Sequence, residues 1–96
     1  MKRKNDLTLG DAIQEWLQYH HLEEKFLETK LRDEWSNIFG PAIARYTTSL
    51  SLRNNTLYLH VDSAPLRNEL HLQSDILLRR INEFLGKELV KKVVIQ

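Results

Sequence analysis

Ninety-six residues, 42% apolar and 28% charged, supply one hydrophobic core and too little material for two, in the proportions of a folded globule rather than a disordered tail. The chain has no cysteine, which excludes a disulfide framework, a thiolate metal site and a cysteine nucleophile. A formal net charge of +1 leaves no general basic excess, so any contact with nucleic acid has to come from a local cluster.

Residues 1–7 carry Lys2, Arg3 and Lys4 and read as a flexible basic N-terminus, followed by a single domain over 8–96. No apolar run approaches the roughly 20 residues that span a bilayer, and no apolar signal region follows the basic start. The expected location is the cytoplasm, with no membrane partner.

Thr8, three residues before Asp11, has the form of a capping box and predicts a helix start. Leu9, Ile13, Trp16 and Leu17 then recur at helical spacing as far as about Tyr19, and His20-His21 reads as a short break. Leu22, Phe26, Leu27, Leu31, Trp35, Ile38 and Phe39 predict a second amphipathic helix, stopped by Gly40 and Pro41. A short turn at 42–45 follows. Both Trp16 and Trp35 lie on apolar stripes and are expected in the core.

From Tyr46 the period changes to two, with Leu50 and Leu52 on one face of a strand and Leu57, Leu59 and Val61 on one face of the next. Asn54-Asn55 between them suits a tight hairpin turn, because asparagine tolerates positive φ. Ser63 reads as an N-cap, and Leu66, Leu70, Leu77, Ile81 and Leu85 form one long helical stripe ended by Gly86. Val90, Val93, Val94 and Ile95 predict a closing strand. The order α-α-β-β-α-β, with a helix long enough to cross over, gives an α+β domain whose three-stranded sheet carries helices packed on one face.

Trp35, Ile38, Phe39, Gly40, Ile43, Ala44 and Thr47 read W-x-x-I-F-G-x-x-I-A-x-x-T. A second block follows the hairpin: Leu57, Val61, Ser63, Ala64, Glu69, Leu70, Leu77, Leu78, Ile81, Asn82, Gly86, Val90 and Val93. In this order and spacing the two blocks resemble the DciA family of bacterial replicative helicase loaders. The resemblance implies a small K-homology-like fold, the replicative DNA helicase as partner, and modest affinity for single-stranded or duplex DNA. It also marks Trp35, Gly40, Thr47, Glu69, Leu70, Asn82 and Gly86 as structural signature positions. The Gly-x-x-Gly clamp of K-homology domains is not present, since Gly10, Gly40 and Gly86 are nowhere three apart.

No chemistry-bearing motif stands out. There is no Gly-Lys-Ser/Thr phosphate loop, so loading would rest on binding energy, with ATP hydrolysis left to the helicase. The adjacent His20 and His21 point about 100° apart on a helix, a poor arrangement for one metal, and Ser63 lacks the sharp-turn setting of a nucleophile. The sequence therefore reads as a non-enzyme without cofactor or metal. Candidate phosphate contacts are Arg53, Arg79, Arg80, Lys87, Lys91 and Lys92, and Tyr58 is the candidate for stacking on bases. Two rival readings are an RNA-binding K-homology-like module and a pure protein adaptor; the latter predicts an exposed apolar patch.

Overall fold

The Thr8 hydroxyl accepts the Asp11 amide at 3.0 Å, as its place before the apolar stripe requires, and opens helix α1, Leu9–Phe39. The computed structural model describes residues 8–96, so the basic N-terminal segment lies outside the described residues. Helix α1 runs unbroken for 31 residues. The break expected at His20-His21 does not occur, because neither histidine removes a backbone donor and Leu27, Leu31 and Trp35 continue the side of the helix that carries Leu9, Ile13 and Leu17, whereas Leu22 and Phe26, expected on that stripe, lie on another side and are exposed. The His20 ring instead stacks on Trp16 one turn earlier, with centroids 5.1 Å apart and planes 4° apart.

The first two helices divide at Gly40, whose φ of 92° turns the chain from α1 into the short helix α2, Pro41–Tyr46. Strands β1, Thr47–Arg53, and β2, Thr56–Val61, pair antiparallel across Asn54-Asn55. Both asparagines have positive φ, 51° and 61°, the backbone of a two-residue hairpin turn whose twist matches its strands.

Ser63 caps helix α3, Ala64–Leu72, by accepting the Leu66 amide, and helix α4, Ser74–Leu85, follows. The single long helix expected here is thus two, separated at Gln73. Its stripe was readable, but the tertiary path around the sheet bends the chain where no apolar residue demands continuity. Gly86, in the left-handed conformation at φ 79°, ends α4. Strand β3, Lys92–Ile95, then joins β2 in parallel, giving sheet order β1-β2-β3. Val90, expected in that strand, lies before it. It is buried nonetheless, and Asn82 binds both its backbone groups at 2.9 Å.

The observed order is α-α-β-β-α-β with the third helix in two pieces, an α+β domain with a mixed three-stranded sheet. Leu50, Leu52, Leu57, Leu59, Val61 and Ile95 face one side and meet Leu27, Leu31 and Trp35 of α1, Leu70 of α3, and Leu77 and Ile81 of α4. Trp35 is only 4% exposed, and its indole N–H donates to the Thr47 hydroxyl, which in turn donates to the Ile43 carbonyl. Trp16 is 60% exposed, contrary to the core role expected of it. Its stripe runs past the end of the sheet, where nothing among the described residues covers it.

Candidate nucleic-acid interface

Strand alternation decides which side chains reach the face of the sheet that no helix among the described residues covers. With Leu57, Leu59 and Val61 turned to the core, Thr56, Tyr58 and His60 point outward. Register places Ser51 and Val94 beside Tyr58, and Arg53 and Lys92 on either side of Thr56. The Arg53 guanidinium lies over the Tyr58 ring, 5.0 Å from its centroid. Arg53, Tyr58 and Lys92, distant in sequence, therefore share one open surface: a flat aromatic–guanidinium platform with a second cation across the sheet. His60, at the far end, is held by the Thr48 hydroxyl at 2.7 Å.

The other candidate cations fall elsewhere. Arg79, Lys87 and Lys91 line a shallow cleft between α4 and the approach to β3, together with Asp75, Glu83 and Glu88. Three cations facing three carboxylates give no net positive field. Lys87 is further engaged by Glu23 at 3.3 Å. Arg80 donates to the Ile38 carbonyl at 2.5 Å and stacks on Phe39 with 5.2 Å to the ring centroid, so it clamps α4 to the end of α1.

The rim of the sheet holds two acids that sequence reading did not single out. Glu24 and Glu28 are buried, 5% and 7% exposed, on the face of α1 that runs beside β1. Glu28 accepts the Leu52 amide at 2.8 Å and the Arg32 guanidinium at 3.0 Å, while Arg32 also donates to the Leu50 carbonyl at 2.9 Å. Helix side chains thus occupy outward-pointing backbone groups of an edge strand, which blocks another chain from adding there. Burial alone would raise the Glu28 pKa, but the Leu52 amide and Arg32 outweigh it and hold the carboxyl below its ordinary value. The signal in the sequence was Glu24 and Glu28 lying on the arc of Leu27, Leu31 and Trp35, which charge alone disguised as a solvated face.

Among the described residues, no group of three or more histidine, cysteine or acidic side chains is placed to hold a metal ion, and no helix is long and apolar enough to cross a membrane. The sequence model of the family described as Dna[CI] antecedent, DciA, matches residues 8–95. The chain belongs to the DciA family. Membership ties it to loading of the replicative helicase in DNA replication. A search of the curated proteins gives no match.

The DciA signature positions now have local addresses. Trp35 and Thr47 bond to each other, Gly40 and Gly86 supply the two positive-φ glycines at helix ends, Leu70 is buried, and Asn82 holds Val90. Glu69 is exposed, and its carboxylate accepts the Gln73 side-chain amide at 3.4 Å. The α3–α4 junction, Leu72-Gln73-Ser74, contains no glycine.

Proposed function

We propose that this DciA-family chain is a non-enzymatic cytoplasmic replication factor that binds the replicative helicase and holds single-stranded DNA on its open sheet face. The family match over residues 8–95 supports the helicase as partner. The DNA reading is carried by one observation, the placement of Arg53 over Tyr58 with Lys92 across the sheet. Bases stack on aromatic and guanidinium planes whatever their sequence, and flanking cations neutralise the phosphates between them. The fold would serve as a K-homology-like body without its glycine clamp, which moves the contact from the helix junction to the strands.

Two measurements test the two halves. The chain and the cognate helicase should co-elute at moderate ionic strength with both at micromolar concentration; separate elution removes the helicase from the reading. For DNA, anisotropy of a labelled single strand should rise on titration, and Arg53→Glu with Lys92→Glu should abolish the rise while the far-UV spectrum stays unchanged. Equal binding by that double variant, or stronger binding of structured RNA at the same salt, counts against the sheet face as a DNA site.

A further inference from the structure

Every residue from Thr8 to Tyr19 is exposed, and Leu9, Ile13, Trp16 and Leu17 are among the largest apolar side chains in water. At 3.6 residues per turn these four and His20 fall within an arc of roughly 100°, the same arc that carries Leu27, Leu31 and Trp35 into the core. The core-facing stripe of α1 therefore continues for three turns beyond the sheet with nothing among the described residues packed against it. The molecule extends 63 Å along its longest axis, and its radius of gyration of 16.9 Å exceeds the roughly 12.5 Å of a compact chain this long. Where the arm leaves the body it is anchored, by Glu23 to Lys87 and by Glu24, which accepts the Asn55 amide at 3.3 Å.

The flanks of the stripe are Gly10, Ala12, Gln14 and His21, all without formal charge at neutral histidine, while Asp11 and Glu15 lie on the far side of the helix. No lysine or arginine occurs from residue 8 to 24, so a polyanion finds no counter-charge here. We propose that this arm pairs antiparallel with the arm of a second copy of the chain. A two-fold axis between Gln14 and Glu15 sets Trp16 against Ile13 and His20 against Leu9, so the stripe is complementary to itself and each ring meets an aliphatic side chain. A parallel pair would instead oppose Trp16 to Trp16 and His20 to His20. The antiparallel pair also sends the two bodies to opposite ends, leaving both open sheet faces free.

Three turns of paired helix bury less than the roughly 1,200 Å² at the lower bound of standard interfaces, so dissociation is expected at roughly tens of micromolar. Sedimentation equilibrium of the full chain from about 5 to 500 µM brackets that value. Monomer at the low end and dimer at the high end is expected. Ile13→Glu should weaken the dimer about tenfold or more, and Gln18→Glu, on the opposite side of the helix, should leave it unchanged. A chain that is monomeric throughout, or a dimer that Ile13→Glu leaves intact, overturns the proposal. Loss of helicase capture by Ile13→Glu in a monomeric chain would assign the stripe to the helicase instead.

Discussion

Glu28 ties helix α1 to strand β1 through one buried side chain. Its two oxygens satisfy the Leu52 amide and Arg32, and the Leu52 side chain beyond is itself core. Glu28→Ala orphans a buried amide and should cost about 1–3 kcal/mol in urea unfolding, whereas Glu28→Gln keeps an acceptor and should cost less. The carboxyl's pKa is depressed in the folded chain, so its contribution is fully present above the unfolded value near 4.5 and is lost as pH falls through the lower folded value. Stability of the natural chain should thus decline more steeply below that pH than stability of Glu28→Gln, as read from urea midpoints across the acid range. Asn55 behaves oppositely. It sits at φ 61°, and its Oδ1 is buried with no partner among the described residues, so Asn55→Gly relieves both the strain and the orphan acceptor. A gain of about 0.5–1 kcal/mol is expected, checked by the same unfolding curves.

Among the elements, the hairpin was the most legible in sequence. Alternation in two strands and a pair of asparagines fixed its turn, its register and which residues face outward, and Tyr58 was singled out on that basis. The third strand's neighbour was not written locally, so Lys92 joined Arg53 only once β3 paired with β2. Arg79 and Arg80 show the converse. Adjacent on one helix, they go to different sites, because consecutive helical residues diverge and α1 happens to offer Arg80 a carbonyl and a ring. Tyr58→Ala should weaken single-stranded DNA binding by about 1–3 kcal/mol, the worth of one stacked base. With Arg53 and Lys92 as the two phosphate contacts, the logarithmic salt dependence should have a slope of about −1.4. A much steeper slope in anisotropy titrations would mean that further cations take part.

At the scale of the whole molecule, stability belongs to the body and not to the arm. Leu31 is fully buried between helix and sheet, and Leu31→Ala should cost about 2–5 kcal/mol, while Ile13→Glu, measured below the concentration of any self-association, should stay within about 0.5 kcal/mol of the natural chain. Thermal or urea unfolding of dilute samples separates the two. The exposed patch foreseen for an adaptor is present on the arm, and it coexists with a cationic aromatic face on the sheet.

The sequence by itself determined the three strands and their order, the stop at Gly40, the hairpin turn, the Ser63 and Gly86 caps and the family, because each depends on residues near one another in the chain or on their ordered spacing. Tertiary structure alone decided that one continuous stripe on α1 is core at Trp35 and bare at Trp16, and that two acids on that arc are buried. Periodicity tells which side of a helix is apolar, but how far along its length a sheet lies beneath it depends on contacts between distant segments.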